Sequence, residues 1–273
     1  MDREVSLREA ARGALAPSVS DMARGFAARR ARVLDTGLLL LAALALWQGL
    51  ASWTAGIAIA GPLATLAYVA QLAGTAGFWS HAWATVSAFL LAFAISAVAG
   101  LLLGLALGVA RFAAEVGEPI LAGFYTIPKV TLYPVILLVF GLGASAKIAF
   151  GVIHGLVPVT LFTLGAVQTM PPVLPRAARA LRLSPGQTMR WVLFPACLPG
   201  IVGGLRLGFS LSLLGVLIGE MFSSQRGLGF LLVNGLAQHN VRLTTSVVLV
   251  VVAFAIAVNT AMLRLSRMLT HRQ

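Results

Sequence analysis

The chain has 273 residues, of which 59% are hydrophobic and only 10% charged, with a formal net charge of +12. A soluble domain carries about 25% charged residues, so a mean hydropathy of +0.94 excludes an ordinary water-soluble protein and predicts an all-α integral membrane protein. Orientation in a bilayer explains the basic excess better than nucleic acid does, and the single cysteine, Cys197, excludes an intrachain disulfide and any cysteine-based metal cluster.

Residues 1–36 form a polar N-terminal arm with seven Arg and five acidic residues. The apolar run after Arg32 is too long for the core of a secretory signal and reads as an uncleaved first span. No charged side chain occurs between Asp35 and Arg111. That gap is too long for one crossing of roughly 20 residues and fits two. Apolar runs at about 37–60, 85–110, 119–140, 146–169, 201–222 and 244–263 predict six transmembrane helices. Between the first two, "GPLATLAYVAQLAGTAGFWSHAW" (61–83) holds Tyr68, Trp79 and Trp83. Those aromatics favour the headgroup level, so the stretch reads as a short interfacial helix plus loop, with a re-entrant seventh span as the alternative.

Lys and Arg give the orientation. With the N-terminus inside, cytoplasmic segments hold fifteen of the twenty, counting Arg111, the four in 173–199 and the three after 263. The outer loops would hold only Lys147, Arg226 and Arg242. Both termini are therefore expected in the cytoplasm.

The second span places Ala88, Ala92, Ser96, Gly100, Gly104 and Gly108 at every fourth position, and the fifth repeats the device with Gly204, Gly208 and Ser212. Such stripes let backbones approach closely, within one subunit or between two. Chemistry-bearing motifs are few. No phosphate-binding G-x-x-x-x-G-K-[ST] loop occurs, the four histidines are scattered, and only Glu115, Glu118 and Glu220 are acidic beyond residue 35. No metal site is expected. His154 reads as a hydrogen-bonded packing residue, with a functional role as the lesser alternative. Pro119, Pro128, Pro134 and Pro158 interrupt spans and free backbone carbonyls, either as simple kinks or along a transport pathway. Lys129 lies beside two of them, either attracting an anionic solute in the pathway or capping freed carbonyls.

The largest inner loop is "PRAARALRLSPGQTMRWVLFPACLPG" (175–200). Leu174, Ala177, Ala178 and Leu181 share one helical face; Arg176, Arg179 and Arg182 share the other. Ser184-Pro185-Gly186-Gln187 predicts a capping box opening a second short helix that stops before Pro195. Such a pair could bind lipid headgroups or a protein partner.

Here the sequence resembles the inner-membrane permeases of binding-protein-dependent ABC importers. Their cytoplasmic "EAA" loop has the pattern E-A-A-x3-G-x9-I-x-L-P. Arg176, Ala177, Ala178, Arg182, Val192, Phe194 and Pro195 fall at those spacings. Arg176 replaces the glutamate and Arg182 the glycine that permits a sharp turn. "TIPKVTLYPVILLVFGLG" (126–143) and "GEMFSSQRGLGFLL" (219–232) are similar to permeases of the nitrate, sulfonate and taurine importers.

The resemblance implies a permease domain over 37–268, an ATPase-coupling loop at 173–199 and a short cytoplasmic tail at 269–273. It further implies two cytoplasmic ATPases that carry ATP and Mg, a periplasmic or lipid-anchored solute-binding protein, and a second permease copy. This chain itself would bind no cofactor and catalyse nothing. The expected coupling residues are Arg176, Ala177, Ala178, Arg179, Leu181, Arg182, Ser184, Val192 and Pro195. Lys129, Pro128 and Pro134 are expected on the pathway, and Gly100, Gly104 and Gly108 in dimer or helix packing. A self-sufficient secondary transporter or channel is the alternative function.

Overall fold

A computed structural model describes the backbone of residues 19–270 and the side chains of residues 34–264. The first half of the N-terminal arm and the last three residues of the tail lie outside the described residues. The chain divides between Leu63 and Ala64 into two units.

In the first unit, α1 (Val19–Trp53) carries the second half of the arm directly into the first span. Its Leu34–Trp53 stretch is long and apolar enough to cross a bilayer, and the exposed Leu38, Leu39, Leu41 and Leu46 suit hydrocarbon contact. The helix ends where Ala55 and Gly56 take positive φ. The chain then folds back so that the Trp47 indole donates to Ala60 O (2.9 Å).

The second unit follows α2 (Pro62–Ala73) with α3 (Ala76–Val109), α4 (Arg111–Thr126), a 3-10 turn (Lys129–Leu132) and α5 (Tyr133–Phe140). Then come α6 (Ala144–Gln168), α7 (Val173–Ala180), α8 (Pro185–Thr188), a π-turn (Met189–Leu193), α9 (Phe194–Ser223), α10 (Leu228–Ala237) and α11 (Val241–Thr270). Among the described residues five helices are long and apolar enough to span, and α4 with the segment Lys129–Phe140 makes a sixth if that bent pair is one crossing.

The core of this unit is α6, enclosed between α3 and α9. A Cβ on Gly100, Gly104 or Gly108 of α3 would fall 2.8, 2.6 or 2.7 Å from the Cβ of Val159, Thr163 or Val167. Since 100, 104 and 108 match 159, 163 and 167 in rising order, α3 and α6 run parallel. On the other side Gly204, Gly208 and Gly215 of α9 meet Phe162, Gly155 and Gly151, in falling order, so α9 is antiparallel. Lipid tails are as apolar as leucine, so helices here gain little from burial alone and associate through close packing. The stripe read from α3 is thus spent inside the chain, against α6. Around it Phe89, Phe209, Leu213 and Val216 close a buried cluster, with the Phe89 and Phe209 rings edge to face at 4.5 Å.

Several elements differ from the sequence expectation. α3 starts at Ala76, so Trp79 and Trp83 ride on the spanning helix, not on a loop; Thr75 caps it by accepting from Phe78 N (3.4 Å). The third run is broken. Its two halves meet at 87°, because Ile127 precedes Pro128 and is held extended (φ −63, ψ 131). α9 starts seven residues before the expected 201 and runs through Pro195, which directly follows the π-turn. α10 falls where an outer loop was expected.

Gly104→Leu should wedge α3 off α6 and cost at least about 2–3 kcal/mol by overpacking. Gly165→Ala, with open space around it, should be tolerated. Thermal unfolding in detergent is the check, and equal midpoints for the two variants would contradict the packing described.

Candidate functional site

Because α3 and α6 run parallel and α9 antiparallel, the bundle has two chemically distinct ends. One gathers the C-ends of α3 and α6, the start of α4 and the segment 169–193. It carries Arg111, Arg176, Arg179, Arg182 and Arg190. The other gathers the N-ends of α3 and α6 with the C-end of α9.

At the first end, α7 closes with two capping bonds. Leu183 N donates to Ala178 O and Arg182 N to Arg179 O, both at 3.0 Å, while Arg182 takes φ +49. This is the Schellman arrangement, with arginine in the left-handed position that normally takes glycine. The sequence departs from the EAA pattern at this position, yet the backbone still makes the turn. Ser184 then forms the expected capping box: Gln187 N donates to Ser184 Oγ (3.3 Å) and Ser184 N to Gln187 Oε1 (2.9 Å).

The second short helix does not stop before Pro195. It passes through the π-turn, where Phe194 N reaches Met189 O, into α9. Val192 and Pro195 are half-buried in that passage. The expected apolar docking face is also divided. Ala178 is only 2% exposed and packs within the chain, whereas Leu181 is 71% and Trp191 69% exposed. Ala177, Arg176, Arg179 and Arg182 are exposed too, and among the described residues none of these arginines pairs with a carboxylate. Among the described residues the ion pair of this end is Arg111–Glu115 (2.9 Å).

Lys129 sits half-buried at the bend of the third span. Its ammonium donates to Tyr125 O (3.1 Å) and lies 4.8 Å from the Tyr125 ring centre. It caps a carbonyl left without a partner at the end of α4. Pro128 and Pro134 are exposed, and Pro134 opens α5. The half-buried Arg206 donates to Asn259 Oδ1 (3.0 Å), tying α9 to α11. His154 donates through Nδ1 to Phe150 O (2.9 Å), since a carbonyl can only accept, and this matches the packing role.

The other end holds what the sequence reading missed. Lys147, placed there in an outer loop, is 4% exposed inside the first turn of α6. Its Nζ donates to Glu220 Oε1 (2.9 Å), Arg226 O (3.3 Å) and Ala84 O (3.4 Å). Glu220 Oε2 accepts from Thr85 Oγ1 (2.8 Å) and Gly229 N (3.1 Å). Thr85 Oγ1 in turn accepts from Leu228 N (2.8 Å), and His81 Nδ1 from Gly227 N (3.1 Å). A buried charge is tolerable only when paired and fully hydrogen-bonded. Here both are. The available signal was Glu220 itself, the one acidic residue within an apolar run of α9. Its partner lay 73 residues away and looked like a loop cation.

The family described as "Binding-protein-dependent transport system inner membrane component" matches residues 96–273. The chain belongs to that family. It is 36% identical over 188 residues to the riboflavin transport system permease protein RibX of Chloroflexus aurantiacus, across 66% of this chain and 70% of that one. It is 26% identical over 175 residues to the taurine transport system permease protein TauC of Escherichia coli, across 62% and 64%. Inward-facing conformations of the MetNI methionine ABC transporter share the fold, with TM-score 0.60 and 22% identity over 68% of this chain and 93% of that one. The protein is thus a multi-pass inner-membrane permease subunit of a binding-protein-dependent ABC importer, and its relatives are transport proteins, not enzymes.

In this permease the strained turn at Arg182 makes a separate prediction. A non-glycine residue in the left-handed region costs roughly 1–2 kcal/mol, and a β-branched one costs more. Arg182→Gly should therefore match or exceed wild-type thermal stability in detergent, whereas Arg182→Val should fall below it. The reverse order would mean that the arginine side chain, not the turn, holds α7 in place.

Proposed function

We propose that two copies of this permease enclose the translocation pathway, and that the segment 173–193 is where each copy receives a cytoplasmic ATPase. ATP and Mg belong to those ATPases; this chain supplies the pathway and the docking element. The observation that carries the reading is the chemistry of that segment. It leaves the bundle with four arginines and displays Leu181 and Trp191 to solvent beyond the ends of α6 and α9. Apolar side chains ringed by cations suit a groove with an acidic rim on a soluble partner. With that end in the cytoplasm, the positive-inside rule is met and both termini lie inside. The second copy is inferred from the pathway, not from the small-residue stripes, which are consumed within the chain.

A self-sufficient transporter finds little support. It needs an ionisable group free to load a coupling ion, and Glu220, the one acid inside the bundle, has both oxygens engaged. For the solute we propose a small anion of the nitrate, sulfonate or taurine type, delivered by an extracytoplasmic binding protein. Similarity to taurine, aliphatic sulfonate and nitrate permeases supports this. Riboflavin and betaine permeases among the relatives set the competing solutes for an uptake panel.

Ala178 is buried in the chain, so docking is tested at exposed positions. Leu181→Asp should abolish ATPase co-purification and uptake with insertion unchanged, while Arg179→Ala should retain most of both. Normal assembly by Leu181→Asp would move the coupling site elsewhere. Lys129→Met removes a cap on Tyr125 O that touches no solute, and should leave uptake at low solute concentration within about twofold. A large loss of apparent solute affinity would instead place Lys129 on the pathway.

A further inference from the structure

The buried pair Lys147–Glu220 lies at the end of α6 and α9 opposite the segment 173–193. Every proton of the Lys147 ammonium is committed, to Glu220, Arg226 O and Ala84 O. A cavity of about 500 Å³ opens beside it, lined by Ser87, Lys147, Ser224 and Arg226 among others. The ammonium has nothing left to offer an anion there. Four of the network's hydrogen bonds instead run to the backbone of one short stretch, Arg226 to Gly229.

That stretch is fitted to the pair. Gly227 has φ +134, and a Cβ on it would overlap the Glu220 carboxylate. A Cβ on Gly229 would meet Leu217 O at 2.5 Å. Ser224 Oγ closes the turn by donating to Arg226 O (2.6 Å) and accepting from Arg226 N (3.3 Å). The result is a rigid tip whose two outward side chains, Gln225 and Arg226, are exposed. Arg242, on the first turn of α11 at the same end, is exposed as well. The acids of this unit lie elsewhere: Glu115 and Glu118 on α4 at the other end, Glu220 beneath the tip. Among the described residues this end therefore displays exposed cations with no exposed carboxylate.

We propose that Thr85, Lys147 and Glu220 are positioning residues that hold Gln225 and Arg226 as a preformed contact for acidic side chains of the solute-binding partner. This rests on the importer reading, which places the tip outside the membrane. Immobilising an arginine before contact lowers the ordering cost of binding. A single exposed cation mainly sets the association rate and its salt dependence, whereas a rigid one adds to affinity.

The test starts in intact cells with a photo-crosslinking amino acid in place of Gln225, and the adduct identified by mass spectrometry. An extracytoplasmic solute-binding protein is expected. That protein, purified, is then titrated against the wild-type permease–ATPase complex in nanodiscs at low and high salt. Arg226→Glu should weaken its binding by about tenfold or more at low salt, equivalent to about 1.4 kcal/mol, and leave ATPase co-purification and basal ATP hydrolysis unchanged. Thr85→Val, which removes the hydroxyl beneath the tip but keeps the shape, should weaken binding likewise, and Thr85→Ser should restore it. Wild-type affinity in both Arg226→Glu and Thr85→Val overturns the proposal. So does an adduct with a cytoplasmic protein. If the wild-type chain brings down no ATPase at all, the importer reading itself fails, and this contact falls with it.

Discussion

Water is absent from the middle of a bilayer, so every backbone polar group and every charge there must be satisfied within the protein. The arrangement of α6 between α3 and α9 follows from that constraint. Glycine and alanine at four-residue spacing bring the three backbones close enough for dispersion to replace the missing hydrophobic drive. Where polar groups enter, they arrive with partners from the neighbouring helix. Ser96 Oγ, for example, shares its one proton between Ala92 O (2.8 Å) and, across the contact, Val152 O (3.2 Å). The Lys147–Glu220 pair is the same rule applied to full charges. Burial costs each ion several kcal/mol, and the three acceptors around one ion and three donors around the other offset that cost only in one geometry. The pair therefore fixes where α3, α6, α9 and the start of α10 meet.

What was legible in the sequence is what depends on local composition. Hydropathy located the spans, because each is long enough to satisfy its own backbone. The Ser184–Gln187 box was legible because its partners are three residues apart. The small-residue stripe was legible as a stripe, but not its partner, since periodicity describes one face and says nothing of what lies against it. The failures share a cause: they depend on residues distant in the chain. Lys147 looked like a loop cation until Glu220, 73 residues on, was brought beside it. Ala178 shared a helical face with Leu181 in projection, yet the turn at Arg182 and the π-turn beyond it bury one and expose the other. The bend at Ile127 was half legible. Pro128 predicted an interruption, but an 87° change of direction requires an extended residue and a 3-10 turn in succession.

Arg182 shows how a fold can keep a turn after losing the residue type best suited to it. The left-handed conformation is demanded by two backbone hydrogen bonds that close α7, and by the capping box that starts α8 only two residues later. With both ends pinned, the chain between them has one route. The strain of about 1–2 kcal/mol is borne by arginine because relaxing it would release all of these bonds together. Arginine also adds a cation to the segment that already presents Arg176 and Arg179, which glycine could not.

The two ends of the bundle are joined by the same pair of helices. α6 and α9 touch from Ala166 against Gly200 at one end to Lys147 against Gly219 at the other, a length of about 30 Å at helical rise. Close glycine contacts of this kind do not slide freely, because the Cβ atoms on either side of each notch block movement by a fraction of a turn. A displacement of α9 at its C-end, where Glu220 carries the tip, therefore moves its N-end as well. The π-turn at Met189–Leu193 marks where that rigidity stops. Its wider hydrogen-bond ring is the least regular part of the continuous helix from Pro185 to Ser223, and it separates the bundle-bound Cys197 and Ile201 from the exposed Leu181. An irregular turn there separates the register that glycines set in α9 from the path of the exposed segment before it. On the docking proposal, that is the joint at which the segment would meet a partner without disturbing the packed helices.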